Sequence, residues 1–427
     1  MADLECEAMR DRLLAVRANR GLTRTEVARS AGVSNDTIRH VEEGRTLPGV
    51  DTAEKLARAL GLDPRWLVYG AGSVDEESAR TIIVTPGYDP IRMCREMREA
   101  LAVPNGFLLD SYKYLDPAGA EKWTQIVADH GFSAVIQSMP LSSLVEHLVS
   151  AIGGMPYDVW GLGAGTGNTE LSLVARLVAK GQREARVFLV DVSQPLLIAA
   201  MHNVERMLSK SRHHPIPVVG LLADFNQFAA FGLLPGSGRR RVITMFGATF
   251  SNLDNEVRFL RRSLAWASKG DILVLDVPRA AGETDEAITK NDSALRQRNA
   301  SQWSDLLDPF LTGPILRHVP GVSKVKVSAR LDRRSSVVPG SYAIEFIAEA
   351  KLVGGEQRQF SIGYSKRYDL DGFTKLMGQE GWSRLCSFEY GPGFLLCAFR
   401  RELSPQIQKQ GRPRRKATDD EREKKAK

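Results

Sequence analysis

Apolar residues recur at helical spacing throughout residues 4–70. Val27, Ala31, Val33, Ile38 and Val41 mark the buried face of two short consecutive helices. Thr23 followed by Glu26 is a capping box for the first helix, and Ser34 can cap the second. Ala28 stands where the two helices cross, and Gly32 can take the left-handed turn between them. The stretch 71–82 is small and acidic, as linkers are. Residues 83–150 read as largely helical. From Asp158 the pattern changes to short apolar runs alternating with helical stretches. The runs are Asp158–Leu162, Val187–Asp191, Val218–Asp224, Val242–Phe246 and Ile272–Val277. This alternation predicts a parallel sheet with helices on both faces, an α/β fold. Tyr342–Leu352 and Gly393–Arg400 are further strand-like segments, and residues 403–427 predict a disordered tail.

With 427 residues the chain suits two or three domains, and its 43% hydrophobic and 26% charged residues allow ordinary globular cores. The net charge of +7 is unevenly placed. Residues 1–70 hold eleven Lys/Arg and eleven Asp/Glu, whereas residues 401–427 hold ten and five. The basic character therefore sits in the tail, and the isoelectric point says little about the N-terminal helices. Cys6, Cys94, Cys386 and Cys397 fit neither a zinc site nor a disulfide framework, so reduced thiols and no metal are expected. The acidic N-terminus lacks the pattern of a signal peptide. No apolar run is read as approaching the roughly 18 residues of a membrane span. A soluble cytoplasmic protein without a membrane partner is expected.

Between the first two strand-like runs lies the glycine-rich segment V-W-G-L-G-A-G-T-G-N-T-E, with Gly161, Gly163, Gly165 and Gly167. A helical stretch, Leu171–Lys180, follows it. Glycines there let the backbone turn tightly and approach a ligand. The next strand ends in Asp191, placed to accept ribose hydroxyl bonds. The third ends in Asp224 and Phe225, an acceptor for an adenine amino group and a ring to pack on it. Either acid alone is equally a helix cap. The G-x-G-x-G spacing suits an adenosyl group with an amino-acid tail better than a pyrophosphate, and no phosphate-loop motif occurs.

Two resemblances add to this reading. The run from Gly21 to Arg45 and the following P-G-V-D-T-A-E-K-L-A-R-A-L-G-L resemble the Cro/C1-type helix-turn-helix family over about residues 8–68. The resemblance implies double-stranded DNA as partner, read by Arg24, Ser34, Asn35, Thr37, Arg39 and His40, and by analogy a homodimer. Arg24 stands where that family often has Gln. A helical bundle used for protein contacts is the alternative. The tail segment Gln410–Lys416 is loosely like a minor-groove-binding hook.

The glycine loop, D-V-S at 191–193, A-D-F at 223–225 and F-G-A-T-F-S-N at 246–252 resemble the histidine-specific, ergothioneine-pathway type of S-adenosylmethionine methyltransferase. The resemblance spans about residues 85–402, including K-Y-L-D-P-A-G-A-E-K-W and S-I-G-Y-S-K-R-Y. It implies a Rossmann-like class I domain over 83–402, core 155–280, with a smaller α+β substrate subdomain. It implies S-adenosylmethionine held by Gly163, Gly165, Gly167, Asp191, Asp224 and Phe225. Asn252 would orient an amine, with Ser365 or Tyr364 bonding nearby. Departures are specific: the acid usually heading the loop is Gly161, and the glutamate recognising the imidazole falls on Gly363. The family's paired tyrosines find no match around 130–135. A small amino-acid-like substrate other than histidine is therefore expected. The alternative is a transcriptional regulator whose inactive methyltransferase-like domain senses S-adenosylmethionine or an amino acid.

Overall fold

The computed structural model describes residues 9–46, 48–60, 62, 67, 81–85, 87–208, 216–226, 239–295 and 307–402. The expected tail, including Gln410–Lys416, lies outside them, as does the expected linker except for Thr81 and Ile82.

Four helices come first: α1 Met9–Asn19, α2 Arg24–Ala31, α3 Asn35–Glu42 and α4 Val50–Ala59. They enclose Leu13, Val27, Ile38, Val41 and Leu56, all at most 3% exposed. Burying each such side chain is worth about 1.5–3 kcal/mol. The expected caps form. Thr23 Oγ1 accepts from Glu26 N while the Glu26 carboxylate accepts from Thr23 N, and Ser34 Oγ accepts from Thr37 N at 3.0 Å. Gly32 closes α2 at φ +64°. A Cβ there would meet nothing, so the left-handed backbone and not space calls for glycine.

In chain order the strands are β1 Thr81–Val84, β2 Gly106–Phe107, β3 Tyr157–Leu162, β4 Ala185–Asp191, β5 Val218–Leu222 and β6 Arg240–Met245. They continue as β7 Ile272–Pro278, β8 Val322–Asp332, β9 Tyr342–Leu352, β10 Gln357–Arg367, β11 Trp382–Tyr390 and β12 Phe394–Arg401. The helices before β6 are α5 Pro90–Ala102, α6 Pro117–Ala128, α7 His130–Gln137, α8 Leu141–Ile152, α9 Asn168–Ala179 and α10 Gln194–Leu208.

The large sheet runs β1-β5-β4-β3-β6-β7-β12-β11. It is parallel from β1 to β7, and β12 and β11 are antiparallel. Each residue of β3 is buried, with Val159 packed in one core and Trp160 in the other. That is the two-sided burial expected of a central parallel strand. The chain leaves β3 for β4 and β5 on one side and returns to β6 on the other. Ligand crevices form at the carboxyl ends of strands beside such a reversal. A second sheet, β2-β10-β9-β8, forms the smaller α+β part, and Phe107 of β2 and Tyr364 of β10 face the same cavity as those strand ends.

Three expectations are corrected. The sheet begins at Thr81, so β1 takes the last two residues of the expected linker by pairing with β5. The sheet also extends beyond 155–280, because the buried run of β12 hydrogen-bonds to β7. Residues Gly131–Ile152 do contain an 18-residue window of mean hydropathy 1.2, long enough for a span. Pro140 divides this stretch into α7 and α8, and α8 buries Leu144, Leu148 and Ile152 against the large sheet.

Candidate active site

A cavity of about 870 Å³ opens over the carboxyl ends of β3, β4, β5 and β6. Gly163 leaves β3 at φ +70°, and a Cβ there would lie 2.9 Å from Thr249 Cγ2 and 3.4 Å from Phe225 Cε1. The glycine thus keeps open a narrow cradle on the cavity wall. Gly165, at φ +54°, donates its N–H to Asp191 Oδ2 at 2.8 Å. Asp191 Oδ1 accepts from Ser193 N at 2.8 Å. The Asp191 side chain therefore ties the end of β4 to the glycine loop. Burial pushes its carboxyl up from the ordinary range, and these backbone bonds pull it back.

Asp224 and Phe225 line the same cavity from the end of β5, and Asp224 Oδ1 also accepts from Asn226 N at 2.9 Å. Asp224 thus makes a local turn contact and also lines the cavity. Gly167 does not line the cavity. A Cβ there would meet Leu189 Cδ1 at 3.0 Å and Ala200 Cβ at 3.3 Å, so this glycine lets α9 approach β4 and α10.

The segment 246–252 turns sharply beside the loop. Gly247 and Ala248 both have left-handed φ, +69° and +60°. For Ala248 that is strained, and the surroundings hold it. Asp276 on β7 accepts from Gly247 N at 3.0 Å and from the Tyr390 hydroxyl. Burial pushes Asp276 up to about 6. The turn delivers Asn252 to the cavity, with its Nδ2 3.4 Å from Asp110 Oδ2. Lys113 donates to the other Asp110 oxygen.

Tyr364 lines the cavity, stacks on Phe107 at 5.6 Å and donates to Glu345 Oε1 at 3.3 Å. Ser365 does not line it. Its hydroxyl accepts from Arg367 Nη1 at 2.6 Å. Gly363 lies at a bulge of β10, and a Cβ there would be 3.0 Å from Lys113 Nζ. The position where the resemblance places an imidazole-recognising glutamate thus has no side chain and faces a buried ammonium.

The patterns of single strands and loops did not reveal Asp110, Trp123 or Glu170 as cavity residues. Asp110 and Trp123 flank the K-Y-L-D-P-A-G segment, which was the available signal. Glu170 carried none, since one acid in the first turn of a helix is ordinary.

In the N-terminal helices, Asn35 and Arg39 are exposed on α3, and Thr37 and His40 are partly exposed. Arg39 pairs with Asp36 at 2.8 Å. Ser34 is engaged in its cap. Arg24 bonds Glu42 Oε2 at 2.6 Å beside Arg17, though its side chain remains 40% exposed. Burial works to raise the Glu42 carboxyl, yet hydrogen bonds from Arg17 and Arg24 leave it below its usual value.

Comparison with known proteins matches residues 13–67 to the helix-turn-helix family model. Residues 93–284 match the model described as histidine-specific methyltransferase, SAM-dependent. The HTH-type transcriptional repressor RghR of Bacillus subtilis (strain 168) is 33% identical over 133 residues, 30% of this chain and 91% of that protein. Among solved structures, an S-adenosylmethionine-dependent methyltransferase from Clostridium acetobutylicum is 12% identical. It covers 66% of this chain and 99% of its own, with a TM-score of 0.37. The P22 c2 repressor, solved with a synthetic operator, is 27% identical, covering 16% of this chain and 100% of its own, with a TM-score of 0.15. The chain therefore belongs to the helix-turn-helix transcriptional regulators and carries, in the same polypeptide, a domain of the S-adenosylmethionine-dependent histidine-specific methyltransferase family.

Proposed function

We propose that the chain is a DNA-binding regulator whose second domain, residues 81–402, binds S-adenosylmethionine and methylates an amino-acid-like amine other than histidine. One observation carries the cofactor reading. The Asp191 carboxylate bonds the glycine loop from the next strand, and both face a cavity shared with Asp224 and Phe225. The cradle at Gly163, which a Cβ would fill, fits an adenosyl ligand in close contact with backbone. In this assignment Asp191 accepts from the ribose hydroxyls, Asp224 from the adenine amino group, and Phe225 packs on the ring.

Bound there, S-adenosylmethionine supplies an activated methyl group with a neutral leaving group. The chain's own part is to position the acceptor. Asp110 Oδ2 and Asn252 form a polar spot on the cavity wall that can hold an amine N–H. Tyr114 and Trp123, 5.6 Å apart and edge to face, form an aromatic part of the cavity wall. The missing side chain at 363 and the ammonium of Lys113 argue against an imidazole. The exposed face of α3, with Asn35 and Arg39, is the surface offered to the major groove.

A second reading, a sensor without turnover, is favoured by Ser365, whose hydroxyl Arg367 occupies away from the cavity. Calorimetry with S-adenosylmethionine tests the shared core of both readings, and absence of heat discards it. Incubation with labelled S-adenosylmethionine and a panel of amino acids separates enzyme from sensor. Footprinting on the protein's own promoter tests the DNA partner.

A further inference from the structure

Among the described residues, nine carboxylates are buried: Glu42, Asp158, Glu170, Asp191, Glu256, Asp271, Asp276, Asp292 and Glu345. Six of them pair with an arginine or lysine. Asp191 accepts two backbone N–H bonds, and Asp276 accepts from a tyrosine and a backbone N–H. Glu170 differs. It is 2% exposed, lines the cavity and pairs with no arginine or lysine; its carboxylate accepts from its own backbone N–H and, at a long 3.5 Å, from Thr244 Oγ1. An ionised carboxylate with so little compensation is costly to bury. Its natural complement is a cation brought into the cavity.

The position of Glu170 says which cation. A Cβ built at Gly161 would lie 2.8 Å from Glu170 Cγ and 3.2 Å from Oε1. The carboxylate from α9 therefore fills the place of a side chain at the end of β3, directly behind the glycine loop. With the adenosyl end held at Asp191 and Asp224, the amino-acid tail, which carries an α-ammonium, would lie in the part of the same cavity lined by the glycine loop and Glu170. This inference rests on the cofactor reading above. We propose that Glu170, whose side chain occupies the space that Gly161 leaves free, is the cofactor-binding residue that receives the α-ammonium of S-adenosylmethionine.

Burial, with the Asp191 charge as a lesser influence, pushes Glu170 up to about 7. A ligand ammonium reverses that and drives the carboxyl to ionise. Binding near pH 7 therefore releases part of a proton to the buffer.

The test is calorimetry on the full chain with two ligands. S-adenosylhomocysteine keeps the amino-acid tail, and 5′-methylthioadenosine lacks it. Glu170→Gln should weaken S-adenosylhomocysteine by about tenfold or more and leave 5′-methylthioadenosine unchanged. In buffers of different ionisation heat, the wild type should release protons with the first ligand and not with the second. Unchanged S-adenosylhomocysteine affinity in Glu170→Gln, or equal proton release with both ligands, overturns the assignment while the cofactor reading stands. If neither ligand binds the wild type, both fall. Binding of 5′-methylthioadenosine by the variant shows that it is folded. Should it not fold, the proton release of the wild type still decides.

Discussion

Replacing Asp191 by Asn tests the strand-to-loop tie most directly. The carboxylate accepts from Gly165 N through one oxygen and from Ser193 N through the other, each at 2.8 Å. Asparagine has one acceptor oxygen and an NH₂ that can only donate. Whichever way its amide is turned, one backbone N–H faces another donor. The site is buried, so that N–H cannot turn to water. Leaving it unmet costs about 1–3 kcal/mol. Removing the desolvation cost of the native carboxylate offsets part of this, so the expected loss is near the lower end of that range. At about 2–4 °C per kcal/mol, the unfolding transition of the large sheet should fall by a few degrees in differential scanning calorimetry, with the helix-turn-helix transition unmoved. If Asp191 also accepts from the ribose, S-adenosylhomocysteine binding should weaken by about tenfold beyond this. A variant that melts and binds as the wild type refutes the claim that Asp191 holds the loop. A variant that only melts earlier refutes its ligand contact alone.

Three further outcomes are expected. Ser34→Ala removes the acceptor for Thr37 N and should cost the helix-turn-helix transition about 1 kcal/mol, read by thermal unfolding; an unmoved transition sinks the cap. Arg39→Ala breaks only an exposed pair with Asp36, so stability should hold. Affinity for the protein's own promoter should fall, and the salt dependence of binding should flatten by about one ion if the contact is to phosphate. Unchanged promoter binding removes Arg39 from the interface. The third outcome concerns Glu170, whose folded value of about 7 lies above its ordinary 4.5. A carboxyl raised on folding adds stability that is complete below pH 4.5 and lost as the pH rises through 7. Ligand-free wild type should lose stability across that window, and Glu170→Gln should lose less. Denaturant titrations at pH 5 and 8 read the difference, and parallel slopes in both proteins count against it.

Much of the architecture was legible in the chain, and the legible parts share a cause. The caps at Thr23 and Ser34, the left-handed Gly32 and the strand ends at Asp191 and Asp224 depend on a few neighbouring residues. Their periodicity and backbone demands are written locally. The five apolar runs coincide with β3 to β7 to within a few residues. What was not legible depended on partners far along the chain. Strand β12 fell outside the expected 155–280 core until its pairing with β7 placed it in the large sheet. Ser365 looked like a substrate contact, but its register on β10 put it beside Arg367. Arg24, expected at the DNA, also sits against Glu42.

By itself, the sequence determined that a helix-turn-helix precedes a glycine-looped parallel sheet with acids at its strand ends, because spacing and short-range geometry suffice for that. Only the tertiary structure decided what fills the two positions where the family pattern is broken. The Glu170 carboxylate from a helix lies against Gly161, and the Lys113 ammonium faces Gly363. Neither can be read from spacing, because a missing side chain leaves a space, and which distant group enters it is settled by packing.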